Sequence, residues 1–223
     1  MNLTPVQARI VGCLIEKELA TPDNYPLTMN ALLAACNQTS NRYPVTKLEE
    51  ATVSNALENL RALNVVRIVY SRSNRADKFR HVVHDVLAVE PGHLAVLAVL
   101  LLRGPQTASE LRSRTERLHP FDDVTEVEET LRDLGSRAEP LVARLERQPG
   151  QKEHRWAHLL GGDLAEVLAP FDGDGAHPAD SRAASRADRL SALEDEVTAL
   201  RADLDRLLAS HHDLVTRLGE ADG

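Results

Sequence analysis

Aromatic residues are scarce: Phe, Tyr and Trp make up 3% of the 223 residues. Sugar platforms and base stacking along single strands both need exposed rings, so neither is expected. Cysteine is limited to Cys13 and Cys36. Two thiols cannot by themselves build a disulfide framework or a four-ligand zinc site, and both read as reduced thiols lining a core. The longest apolar run, Leu94 to Leu102, falls far short of a membrane span of ~20 residues. The opening stretch MNLTPVQARIVGCLIEKE has no basic region ahead of an apolar one. No signal peptide and no membrane association are therefore expected, and the chain reads as cytoplasmic. There is no HExxH, GxSxG, P-loop or GxGxxG.

The nine histidines do not make up for these absences. His81 and His84, three apart in an expected strand, point to opposite faces. His154 and His158 share a strand face but lie ~13 Å apart at the rise of an extended chain. His211 and His212 face different ways on a helix. Asp122, Asp123, Glu126, Glu128 and Glu129 read as a solvated acidic turn that stabilises a helix start. The fragment Asp172-Gly173-Asp174-Gly175 hints at a calcium loop, but Ala176 and Ala183 stand where acids are required. No metal, no cofactor and no enzymatic activity are expected.

What remains is a legible architecture. Hydrophobic residues at 43% allow a real core, and 223 residues allow one domain or two small ones. Thr4-Pro5-Val6-Gln7 is a capping box with proline at the first helical position. Thr46 to Glu49 and Thr107 to Glu110 repeat the device, Asp123 to Glu126 is an Asp-led version, and a further helix start lies near Thr28. Val6, Ile10, Cys13 and Leu14 share one helical face; Met29, Leu32, Leu33 and Cys36 make a short helix; Val53, Leu57 and Leu60 mark a third. Then VVRIVY at 65–70, the turn-rich SRSNRAD and KFRHVV predict a hairpin with a basic tip. Three helices and a hairpin are the order of a winged helix-turn-helix domain.

The order recurs. Helices are predicted over His93–Leu102 and Ala108–Leu118 and around Val127, Leu131 and Leu134. LVARLER, a Pro149-Gly150 turn and HRWAHLL form a second hairpin. Val53, Leu57 and Leu60 match Val127, Leu131 and Leu134, and Phe79 matches Trp156.

The predicted fold class is mainly α with small β-hairpins (α+β). Two tandem winged helix-turn-helix domains are expected at 1–90 and 91–162, then a terminal turn and linker at 163–180. A coiled-coil helix follows at 181–219. Its seam places Leu190, Val197, Leu204, His211 and Leu218 at a, and Leu193, Leu200, Leu207 and Leu214 at d. Arg189 with Glu194 and Glu196 with Arg201 are opposite in sign across a parallel pair, which favours a homodimer. The same stripe also fits a single amphipathic helix laid against its own body or against another protein.

For function, the first hairpin carries the best local signal. Arg72, Arg75, Lys78 and Arg80 can straddle phosphates of double-stranded DNA, Asn41 and Arg42 lie ahead of the third helix, and Arg147 and Lys152 flank the second hairpin's turn. A solvated, arginine-rich hairpin tip accounts for the same residues. The charge map argues the other way. The formal charge is −8, and residues 171–223 hold 6 basic and 12 acidic residues, which leaves 20 and 22 in the body. The third helices carry Glu49, Glu50 and Glu58 in one copy and Asp123, Glu126, Glu128, Glu129 and Asp133 in the other. Carboxylates there repel phosphates. Two readings stand: a dimeric DNA-binding regulator, or a protein-interaction scaffold whose acidic helices bind a basic partner.

GCLIEKE at 12–18, TPDNYPLTMNALLAACNQTSNR at 21–42 and LLLRGPQTASELRSR at 100–114 resemble the YceH-like family of uncharacterised bacterial proteins. The resemblance covers about residues 1–160. It implies a tandem winged-helix body and assigns no activity and no active-site residues.

Overall fold

The computed structural model describes residues 1–70, 76–147 and 152–161. They form a mixed α/β structure of helices and two small antiparallel sheets.

Helix α1 (Pro5–Ala20) opens on the expected capping box. The Gln7 N–H donates to the Thr4 hydroxyl at 3.3 Å, and the Thr4 N–H donates to Gln7 Oε1 at 2.9 Å. A 3-10 turn (Pro22–Asn24) leads to β1 (Leu27–Thr28). Thr28 caps α2 (Met29–Cys36) through the Ala31 N–H. After an irregular segment comes α3 (Glu50–Ala62). It ends where Asn64 takes a left-handed φ of 56° and the Val65 N–H turns back to the Leu60 carbonyl, a helix stop that asparagine tolerates. Strands β2 (Val66–Val69) and β3 (Lys78–His81) follow, then one turn of helix, α4 (Val83–Leu87).

The second half repeats the order: α5 (Pro91–Arg103), β4 (Gln106–Thr107), α6 (Ala108–Thr115), α7 (Val124–Ser136), β5 (Val142–Arg144) and β6 (Arg155–His158). The sheets have the same topology, β1-β3-β2 and β4-β6-β5, all antiparallel. Phe79 and Trp156 are equivalent in them, each the central-strand residue facing the short first strand, at Leu27 and Gln106 respectively.

The two halves share one core. The boundary expected near residue 90 falls between α4 and α5, inside a compact unit that spans Met1–Ala169. Helices α1 and α5 pack on each other, and each is buried on all sides along most of its length, from Gln7 to Ile15 and from Leu94 to Leu102. Gly12 makes the close approach possible: a Cβ there would lie 2.9 Å from Leu102 Cγ and 3.1 Å from Leu101 Cβ. Backbone bonds also cross between the halves, from the Leu3 N–H to the Leu160 carbonyl and from the Tyr43 N–H to the Leu102 carbonyl.

Three local expectations are corrected. Thr46 does not cap a helix: α3 starts at Glu50, its N-cap is Glu49, and the Thr46 hydroxyl has no partner among the described residues. His84 is not in a strand, because β3 stops at His81 and the chain turns into α4, bringing the two imidazoles to 6.0 Å. Helix α6 ends at Thr115, whose hydroxyl bonds back to the Leu111 carbonyl. The linker and coiled coil expected over 163–219, with Leu190, Leu193, Val197, Leu200, Leu204, Leu207, Leu214 and Leu218, lie outside the described residues. Among the described residues no helix is long and apolar enough to cross a membrane.

Candidate nucleic-acid interface

Strand alternation sorts the first hairpin into two faces. Val66, Phe79 and His81 are buried, while Arg67 is exposed and Lys78 and Arg80 are half-buried on the other side. The register sets Arg67 directly opposite Arg80 and Val69 opposite Lys78. Like charges directly opposite each other on one face are destabilising, so this face favours an anion. Among the described residues no ion pair engages Arg67 or Lys78. Arg72 and Arg75, expected at the tip, lie outside the described residues.

The inner face holds this strand in place. His81 Nδ1 accepts from the Val83 N–H at 3.2 Å, and its Nε2 lies 2.6 Å from Glu18 Oε2. The His81 N–H donates to the Tyr25 hydroxyl at 2.7 Å. Burial alone raises the Glu18 carboxyl. The hydrogen bond from His81 and the positive side chains nearby, Arg80 among them, outweigh burial and hold it below the ordinary carboxylate value. Strand β3 is thus fixed to α1 and to the 3-10 turn, and Lys78 and Arg80 are presented from a rigid base.

The segment between α2 and α3 departs from expectation. Arg42 is buried and is not a phosphate contact. Its guanidinium donates to both Glu16 carboxylate oxygens, at 3.0 and 2.6 Å, to the Ala35 carbonyl, to Gln38 Oε1 and to the Asn41 carbonyl. With these acceptors filled, none of its donors is left for a ligand. Asn37 is likewise engaged: its amide makes a two-way pair with the Leu48 backbone, at 2.9 and 2.7 Å. Asn41 is exposed, takes a φ of 61°, and accepts from Arg103. In the second hairpin, Arg147 and Lys152 are exposed on either side of residues 148–151, which lie outside the described residues.

Helix α3 packs beside this hairpin and buries Val53, Ala56, Leu57 and Leu60. Thr52, Asn55 and Asn59 then fall on its exposed side at helical spacing, with Glu58 among them. Helix α7, its counterpart, exposes Glu128, Glu129, Arg132 and Asp133, and Asp133 pairs with His93 at 2.9 Å. Between α7, the start of α6 and the second hairpin lies a groove of about 520 Å³ that includes Ser109, Glu128, Arg132, Arg144, His154 and Trp156. Among the described residues no group of three or more His, Cys, Asp or Glu side chains is placed to hold a metal ion.

Residues 3–151 match a protein family described as a protein of unknown function, DUF480. This chain belongs to the DUF480 family. The relatives it resembles carry a second family label. It is 50% identical over 202 residues to UPF0502 protein GSU0233 of Geobacter sulfurreducens, covering 89% of this chain and 90% of that one. It is 48% identical over 210 residues to a UPF0502 protein of Pelobacter propionicus, covering 93% and 94%. It is 47% identical over 205 residues to UPF0502 protein Bcep18194_B0081 of Burkholderia lata, covering 90% and 86%. The resemblance drawn from the strings at 12–18, 21–42 and 100–114 to an uncharacterised bacterial family therefore holds over most of the chain.

In this DUF480 chain the polar strip on α3 is the part of the surface that charge counting passes over. Thr52, Asn55 and Asn59 carry no charge. The signal for them is the buried stripe of α3, whose complement on the helix they occupy.

Proposed function

We propose that this protein is a tandem winged-helix regulator that binds double-stranded DNA and acts as a dimer through its C-terminal helix, without enzymatic activity. What supports the reading is a pair of exposed surfaces in the first half: the outward face of the hairpin, with Arg67, Lys78 and Arg80, and the exposed strip of α3, with Thr52, Asn55 and Asn59. The repeated order of helix, short strand, two helices and hairpin supports a winged-helix pair. In that reading α3 enters the major groove, where asparagine side chains suit adenine, and the hairpin lies on phosphates. Lys78, Arg80 and the tip arginines Arg72 and Arg75 are the phosphate set. Asn41, exposed and bonded to Arg103, and Arg147 and Lys152 are peripheral contacts.

The acidic face of α7 supports a second role for the other half, as a surface for a basic protein partner. The two copies then divide the work, DNA on the first and protein on the second.

The deciding experiment is fluorescence anisotropy with short duplexes from the source genome, from about 50 to 200 mM salt. Specific binding to a subset of duplexes is the expected result. Lys78→Ala should weaken binding to every duplex and reduce the log–log salt slope by about 0.9. An absence of binding at the lowest salt overturns the DNA reading and leaves the partner surface on α7 as the function to pursue.

A further inference from the structure

The groove between α7, the start of α6 and the second hairpin is built from unlike parts. Trp156, half-buried on the central strand β6, gives it an aromatic surface. Arg144 stands directly opposite Trp156 in the β5–β6 register, so both side chains leave the same face of the sheet. Helix α7 adds Val124, Glu128 and Arg132, spaced four residues apart along one side. The volume of about 520 Å³ lies within the range of small-molecule sites.

Three charges in the groove do nothing for the fold. Among the described residues no ion pair engages Glu128, Arg132 or Arg144. Glu128 and Arg132 have the helical spacing at which opposite charges pair, yet they stay apart. The other carboxylates are taken. Glu153 accepts from the Ser109 hydroxyl at 3.3 Å, and Glu110 closes the start of α6 by accepting from the Thr107 N–H at 3.0 Å. Negative charge on a ligand is therefore left to the two guanidinium groups, and positive charge to Glu128.

The first half shows that the fold does not require this set. Ile68 faces Phe79 where Arg144 faces Trp156. With Val53 matched to Val127, the places of Glu128 and Arg132 are held by Ser54 and Glu58. Both halves build the same sheet and helices, but the first has no guanidinium at these positions.

We propose that this groove binds a small zwitterion of the α-amino-acid class with an apolar side chain. Arg132 and Arg144 hold the carboxylate, which suits their planar donor forks. Glu128 takes the ammonium group, and the side chain lies on Trp156 and Val124. A simple carboxylate leaves Glu128 unmatched, and a simple amine leaves both arginines unmatched. A ligand with both signs satisfies all three. The site is independent of the DNA reading, and its test uses no nucleic acid.

Trp156 is the one tryptophan of the chain, so its fluorescence reports on the groove without a label. The full chain is titrated with L-leucine, L-methionine and L-phenylalanine to about 10 mM, with calorimetry in parallel. At least one should give a saturable change in emission with a matching heat. The N-acetyl and the amide forms of that amino acid each lack one charge and should bind at least about tenfold more weakly. Arg144→Gln should weaken the amino acid by about tenfold and leave the amide form unchanged. Glu128→Gln should weaken the amino acid and leave the N-acetyl form unchanged. Both replaced side chains are exposed, and circular dichroism checks that the variants fold. The proposal is overturned if none of the three amino acids saturates. It is also overturned if either blocked form binds as tightly as its parent, or if the two folded variants bind the amino acid like the wild type.

Discussion

His81 and His158 hold the same place in the two halves: Val66 faces the first across its hairpin and Val142 faces the second. Their surroundings differ. His81 Nε2 lies 2.6 Å from a Glu18 carboxylate oxygen, whereas His158 Nδ1 is buried with no hydrogen bond and no carboxylate partner among the described residues, and the ring packs against Gly161. Burial alone lowers the His158 imidazole from 6.5 to about 4.

That difference predicts a pH dependence. Between the two values the unfolded chain binds a proton that folded His158 refuses, so stability rises with pH across this range. The contribution is complete above about pH 6.5 and is lost as pH falls toward 4. From pH 7 to pH 5 it should amount to about 2 kcal/mol. Urea unfolding at the two pH values measures it, and His158→Phe should flatten the difference. An equal slope in the variant would assign the effect elsewhere.

Arg42 separates a structural arginine from a binding one. Arg42→Ala leaves Glu16 without its bidentate partner and should cost about 3 kcal/mol, which lowers Tm by several degrees. The double variant with Glu16→Gln should lose less than the sum of the single losses. Thermal unfolding of the three variants measures this. The salt slope for any bound DNA should stay at its wild-type value, in contrast to Lys78→Ala.

Asn55 and Asn59 should show their effect in base preference instead of in stability. Alanine at either position should relax base preference at one position of a bound duplex, by about 1–3 kcal/mol of discrimination, and leave the salt slope unchanged. A panel of single-base duplex variants in the anisotropy assay reads this directly.

The heptad spacing of Leu190, Val197, Leu204 and Leu218 in the sequence predicts that the full chain is a dimer and that deletion of residues 181–223 yields a monomer. Light scattering of the full and shortened chains decides it: an unchanged mass per particle rules out the coiled-coil dimer.

Much of the body was legible because its signals are local. The Thr4, Thr28, Thr107 and Asp123 caps each act within a few residues, and all four are present. The repeat was legible from Val53, Leu57, Leu60 and their counterparts, since one apolar stripe faces one core. What escaped notice depends on contacts distant in sequence. The short strands β1 and β4 exist only because β3 and β6 pair with them. Nothing near Arg42 in the chain announces Glu16, 26 residues earlier, so the sequence shows only a base ahead of a helix. Thr46 to Glu49 matched a capping box, but Asn37 seizes the Leu48 backbone and delays the helix. In the candidate site, charge marks the hairpin, whereas the uncharged asparagines of α3 are marked only by the buried side opposite them.

The approach of α1 to α5 at Gly12 makes a last prediction. Gly12→Val should drive side-chain atoms into Leu101 and Leu102 and cost about 2 kcal/mol in chemical denaturation. The same contact has a mechanical meaning. With α1 and α5 packed on one another in a shared core, the first hairpin and the acidic helix of the second half are carried on one body. A ligand that touched both would have to span the distance that this packing sets.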